Sequence, residues 1–143
     1  DIDLSVPLSQ VFSWEKNRFL NNKEVFFGSR NLKGSKVKKN FFRYILGNIF
    51  NFFVNTILNI SLHDTQCGYK IYKKEIAKKM YSKLTNYGFT HDLELVLILK
   101  EMKIQIIELP VKWTHKAGSK VNIFLDPLKM FLNILLLRFK YFL

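Results

Sequence analysis

The chain has a single cysteine, three prolines and six glycines among its 143 residues. One thiol, Cys67, excludes an internal disulfide framework and suits a reducing compartment. Acids are also scarce: eleven Asp and Glu stand against 23 Lys and Arg, for a formal charge of +12. The three histidines, His63, His91 and His115, show no metal-ligand spacing. There is no internal repeat and no low-complexity linker. What is abundant is apolar: the chain is 48% hydrophobic with 14 phenylalanines, which excludes a disordered chain and supplies a core. The length fits one domain or a large part of one.

The positive charge has two readings. One is attraction to an anionic membrane face, a phosphate acceptor and a nucleotide. The other is compositional, since Lys, Asn, Ile and Phe are all frequent here. The local pattern favours the membrane: Lys33, Lys36, Lys38, Lys39 and Arg43 directly precede a very apolar segment. A nucleic-acid module would interleave exposed aromatics with basic residues, whereas these aromatics sit in apolar runs, so no nucleic-acid partner is expected.

The pattern of residues predicts alternating helices and strands, hence an α/β layer structure. A short helix is expected over Pro7 to Phe19, with Ser5 as a cap. Val25 to Phe27 reads as a buried strand and residues 31 to 39 as a basic loop. Phe41 to Leu62 reads as a long helix on which Arg43, Gly47, Asn51, Asn55 and Asn59 trace one polar stripe. Tyr69 to Tyr72 is a short strand; Lys74 to Leu84 and Asp92 to Lys103 are helices. Ile104 to Trp113 alternates as a strand, and Pro110 places it at an edge or gives it an irregularity. Asp126 to Leu143 is a final apolar helix. Neither long apolar helix reads as a clean membrane span, because Arg43 and four asparagines load one, and Asn133, Arg138 and Lys140 load the other. Helices lying in the plane of a lipid surface accommodate that mixture; ordinary core helices are the plainer reading.

Four short motifs carry the chemistry. Asp1-Ile2-Asp3-Leu4-Ser5 sets two carboxylates at a spacing that offers hard oxygen ligands to a divalent ion. Gly28-Ser29-Arg30 follows the first strand; glycine permits close backbone approach and Arg30 offers a planar fork suited to phosphate, or simply to water. Asp64-Thr65-Gln66-Cys67-Gly68-Tyr69-Lys70 is a polar turn between apolar segments. Gly118-Ser119-Lys120 is a small basic loop that lacks the upstream glycine of a P-loop.

In this order the motifs resemble the family 2 glycosyltransferases that move a sugar from a nucleotide onto a polyprenyl or dolichyl phosphate, in particular the dolichyl-phosphate beta-glucosyltransferase branch. The resemblance runs over essentially the whole chain but only over the second half of such an enzyme. It implies a partial GT-A fold, Rossmann-like, with amphipathic interface helices. It implies that residues 1 to 143 form the C-terminal metal, acceptor and catalytic part of one domain, that about 90 residues holding the uridine should precede Asp1, and that the chain alone is inactive. It implies Mg²⁺ or Mn²⁺ on Asp1 and Asp3. Ile2 departs from the small residue often found in that motif, a change that bears on packing rather than coordination.

The same resemblance gives the remaining residues their roles. Arg30, Arg43, Ser119 and Lys120 would contact donor or acceptor phosphate, although Arg43 also reads as a surface arginine snorkelling from its helix. Asp64 or Asp92 would be the catalytic carboxylate, and Gln66, Gly68 and Glu94 would position the substrate. Asp92 and Glu94 read equally as acids stabilising a helix N-terminus, with Thr90 as its cap. His91 stands where the family usually has an aromatic residue. The implied reaction is inverting transfer of a sugar, glucose from UDP-glucose, to a polyprenyl phosphate by a peripheral protein on the cytoplasmic face of a membrane. A donor of the GDP-mannose type, or a non-catalytic basic module that binds membrane or nucleic acid, are the alternatives.

Overall fold

The computed structural model describes residues 5–16, 24–38, 41–88, 90–114 and 125–142. In chain order the elements are α1 (Gln10–Lys16), β1 (Val25–Ser29), β2 (Lys36–Lys38), α2 (Phe41–Leu58), β3 (Lys70–Tyr72), α3 (Lys74–Lys83), α4 (His91–Glu101), β4 (Ile106–Pro110), β5 (Lys112–Thr114) and α5 (Leu125–Phe142). The architecture is mixed α/β.

β1 is the centre of a three-stranded sheet of order β3-β1-β4, and all five of its residues are buried. It pairs antiparallel with β3, Phe27 opposite Lys70, and parallel with β4, Gly28 opposite Leu109. The sheet is therefore mixed. Its alternation sorts the core: Val25 and Phe27 face a cluster with Met80, Leu95, Ile98 and Leu99, while Phe26 faces Trp14, Cys67, Leu109 and Val111. The middle of helix α4, residues 95 to 99, is apolar all round because it is buried on several sides. One side meets the sheet, and Leu93 and Leu97 meet Val54 and Leu58 of α2 and Ile134 and Leu137 of α5.

Several boundaries differ from the sequence pattern for identifiable reasons. The strand expected over residues 104 to 113 is two strands: β4 pairs with β1, and after Val111 the chain changes partner, so β5 pairs parallel with β2. Pro110 closes β4 at the edge of the sheet, where a missing N–H removes no ladder bond. The basic loop thus contains a strand, whose pairing is supplied by β5 and by Lys36 donating to the Val111 carbonyl. Helix α1 begins at Gln10, after a turn in which Gln10 donates to the Pro7 carbonyl, and Ser5 instead accepts from the Thr114 amide through its carbonyl. Helix α2 stops four residues early because Asn59 turns to φ 47°, the left-handed region that asparagine tolerates better than most residues.

Helices α2 and α5 pack on each other yet leave much apolar surface in water, including Leu46, Ile49, Phe52 and Phe53 on α2 and Leu128, Leu132, Leu136 and Phe139 on α5. Among the described residues no helix is long and apolar enough to cross a membrane.

Candidate functional site

The site forms at the carboxyl end of β1. There the chain needs Gly28, since a Cβ at that position would lie 2.7 Å from Val111 Cγ1 and 3.0 Å from the Tyr69 carbonyl oxygen. The close approach lets Gly28 donate to that carbonyl at 2.7 Å and draws the 64–70 turn against the strand. Two residues on, Arg30 meets Asp64. Nε donates to Oδ2 at 2.6 Å and Nη2 to Oδ1 at 2.8 Å, and the Arg30 backbone N–H adds a third bond to Oδ2 at 3.0 Å. The Gln66 amide donates to Oδ1 at 3.2 Å. The guanidinium also stands 5.7 Å from the centre of the Trp113 ring.

Burial opposes charge on both members of this pair, and their mutual hydrogen bonds and attraction overcome it. Asp64 is held below the usual carboxylate range and Arg30 above the usual range for its side chain. The Cys67 thiol, in the same turn, is pushed up by burial and by the Asp64 charge, so it is an inert packing group rather than a nucleophile.

The turn that presents Asp64 is fixed from three directions. Glu108 of β4 accepts from the Asp64 amide at 2.9 Å and from the His63 amide at 2.8 Å. Asn55 of α2 brackets Leu62, donating to its carbonyl at 2.8 Å and accepting from its N–H at 3.2 Å. Asn51 donates to the carbonyls of Leu62 and His63, and Asn31 donates to the His63 carbonyl. The polar stripe of α2 is therefore what grips this loop. Tyr44, Gly47, Asn48 and Asn51 of α2 close a polar cleft of about 90 Å³ over Arg30 and Asp64.

A second ion pair lies near enough to the first for the Asp92 charge to help hold the Arg30 pKa up. Lys70, at the start of β3, donates to Asp92 Oδ1 at 2.7 Å, and His91 Nε2 lies 3.2 Å from the same oxygen. Glu94, two residues further along α4, is fully buried and turned away into a different network. It accepts from Thr85 N–H and Oγ1, Asn86 N–H, Lys140 Nζ and Tyr141 O–H. Burial works against its charge, and these donors outweigh it, lowering its pKa to about 2.

Among the expected site residues, Arg30, Asp64 and Gln66 come together around the cleft, with Gly68 in the same turn, and Asp92 stands on Lys70. Arg43 falls in the first turn of α2, one turn before Gly47. Asp1, Asp3, Ser119 and Lys120 lie outside the described residues. Among the described residues no group of three His, Cys, Asp or Glu side chains is arranged to hold a metal ion, and the Asp64 oxygens are already taken by Arg30. The sequence pattern singles out Asn51 and Asn55 only as part of a helix stripe and Lys70 only as the end of the 64–70 turn, with no site role, and it does not single out Glu108. The signals existed: an acid inside an apolar strand and asparagines at helical spacing each ask for a partner.

A "Dolichyl-phosphate beta-glucosyltransferase" of Dictyostelium discoideum is 34% identical over 106 residues, 74% of this chain and 32% of the relative. The human protein of that name is 35% identical over 109 residues, 76% of this chain and 34% of the relative. The chain is a relative of the dolichyl-phosphate beta-glucosyltransferases. A third such protein, from Drosophila melanogaster, is 32% identical over 103 residues, 72% of this chain and 32% of its own length. The chain thus spans about a third of the length of these glucosyltransferases. No family model matches it, and no solved structure does.

Proposed function

We propose that this chain is the acceptor and catalytic portion of a GT-A type, inverting family 2 glycosyltransferase that moves glucose from UDP-glucose to a polyprenyl or dolichyl phosphate on the cytoplasmic face of a membrane. The observation that carries the reading is the similarity to dolichyl-phosphate beta-glucosyltransferases over about three quarters of the chain. Open α/β sheets bind ligands beyond the carboxyl ends of their strands, which is where this pair lies.

In the proposed reaction an acceptor phosphate oxygen attacks the anomeric carbon, and the bond from that carbon to the nucleoside diphosphate breaks. A phosphate monoester has a second pKa of about 6, so the attacking oxygen carries its charge without help from a strong base. Asp64, with both oxygens on Arg30, orients the guanidinium. Asp92, with one oxygen on Lys70, is the carboxylate left to meet acceptor or sugar hydroxyls. Arg30, Arg43, Ser119 and Lys120 neutralise phosphate charge, and Gln66 and Gly68 shape the cleft. Asp1 and Asp3 would hold Mg²⁺ or Mn²⁺, which supplies Lewis acidity to the leaving diphosphate. The Glu94 network supports a different role from substrate positioning: it ties the 85–86 loop to α5.

The test is transfer of labelled glucose from UDP-glucose to dolichyl phosphate by the protein as its gene encodes it, with GDP-mannose as the competing donor. Product with UDP-glucose supports the reading. Product with GDP-mannose alone moves the donor assignment, and no lipid-linked sugar from either donor defeats it.

A further inference from the structure

We infer that Lys70 is a positioning residue for Asp92, fixing that carboxylate at the site so that it can meet the substrate. The inference rests on the glycosyltransferase reading above and deepens it. Lys70 is 5% exposed and Asp92 15% exposed, so the ion pair is withdrawn from water. An ammonium carries three donors, and among the described residues Nζ has a single hydrogen-bond acceptor, Asp92 Oδ1 at 2.7 Å. Its other side lies 5.0 Å from the centre of the Phe27 ring, which stabilises the cation without offering a lone pair.

The two carboxylates of the site differ in a way that matters. Asp64 engages both oxygens with Arg30 and accepts two backbone amides besides. Asp92 uses Oδ1 for both Lys70 and His91, and Oδ2 takes no hydrogen bond among the described residues. One oxygen is pinned and the other is open among the described residues, which is the arrangement a group needs to be held still and still reach a ligand.

Topology explains why a lysine serves here. β3 runs antiparallel to β1, so the start of β3 lies at the carboxyl end of β1, and Lys70 is paired opposite Phe27, three residues before Arg30. The first turn of α4 brings Asp92 to the same end. A buried ion pair adds little to stability compared with apolar packing of the same volume, so a pair kept at this point is better explained by the site than by the fold. A pair that served the fold alone would change unfolding when cut and leave turnover in the folded protein untouched.

The experiment is a double-mutant cycle in the protein as its gene encodes it, using UDP-glucose and dolichyl phosphate. Lys70→Met, Lys70→Arg, Asp92→Asn and the Lys70→Met/Asp92→Asn double variant are compared after circular dichroism confirms folding. Lys70→Met is expected to lower kcat on the order of 10²-fold while donor KM moves less than about threefold. Lys70→Arg should recover most of kcat. The double variant should be no slower than Asp92→Asn alone, because residues acting as a unit are not additive. Lys70→Met at wild-type kcat overturns the inference, and so do losses that multiply in the double variant. If Lys70→Met does not fold, Lys70→Ala, which likewise offers no donor, replaces it in the cycle under the same outcomes. A wild type that transfers no sugar defeats the functional reading and this inference with it. An active wild type whose Lys70 variants keep full speed defeats this inference alone.

Discussion

Glu108 reaches across from β4 to hold Asp64 by its backbone, one carboxylate oxygen on the Asp64 amide at 2.9 Å and the other on the amide before it at 2.8 Å. The acid that orders the turn and the acid that the turn presents are thus different residues, 44 positions apart. Glu108→Ala leaves two amides without acceptors, and each such loss costs about 1–3 kcal/mol where water cannot enter. We expect a drop of about 2 kcal/mol in urea unfolding, and less for Glu108→Gln, which keeps one acceptor. Unchanged midpoints for both variants would show that water replaces Glu108 at no cost.

Cutting the Arg30–Asp64 pair from one side should be worse than cutting it from both. Asp64→Asn strands a buried guanidinium, at a cost of about 3 kcal/mol for a mostly buried pair, whereas Arg30→Met with Asp64→Leu removes both charges. Chemical denaturation of the two variants gives the comparison. A double variant less stable than Asp64→Asn would contradict it.

Acid should weaken the fold in a defined window. The folded-state pKa of Glu94 is about 2 against an ordinary value of 4.5, so its contribution is fully present above pH 4.5 and is lost as pH falls toward 2. Asp64 is lowered in the same direction and adds to the slope. Urea midpoints measured from pH 6 to pH 2 should fall steeply below about 4.5 in the wild type and less steeply in Glu94→Gln. Parallel curves for the two proteins would assign the acid sensitivity elsewhere.

Gly28→Ala should destabilise by about 1–3 kcal/mol, because the new methyl meets Val111 Cγ1 at 2.7 Å and a carbonyl oxygen at 3.0 Å. Adding Val111→Ala should recover part of the loss and not all of it, since the Tyr69 carbonyl stays in place. Thermal unfolding of the single and double variants checks both statements.

The exposed faces of α2 and α5 predict binding to anionic vesicles that salt weakens, with Lys33, Lys36, Lys129 and Arg138 exposed beside them. Phe52→Asp and Leu136→Asp, at residues 67% and 64% exposed, should each reduce sedimentation with vesicles and leave unfolding within about 0.5 kcal/mol of wild type. Equal partition into neutral and anionic vesicles at every salt concentration would remove the electrostatic part.

The helices and β1 were legible in the sequence because each buries a face whose period shows in the residues. β2 was not: Lys36-Val37-Lys38 carries one apolar residue, and its strand state comes from β5. Arg30 and Asp64 each stood out singly, but their meeting depends on a loop that closes over β1, and no local pattern encodes that. Glu94 was misleading for a physical reason. An acid in the first turn of a helix has the same sequence signature whether it faces a ligand, the helix dipole or, as here, a ring of donors that closes over its buried carboxylate.

That ring of donors makes two distant segments open together. Thr85 and Asn86 lend their amide protons to Glu94, while near the end of α5 the Lys140 ammonium and the Tyr141 hydroxyl donate to the same carboxylate. When the end of α5 lifts, the carboxylate loses two donors in a buried setting, and the loop amides become the next bonds to break. The exchange of those two amide protons with solvent would then report how firmly α5 is seated, two residues from the carboxylate of Asp92.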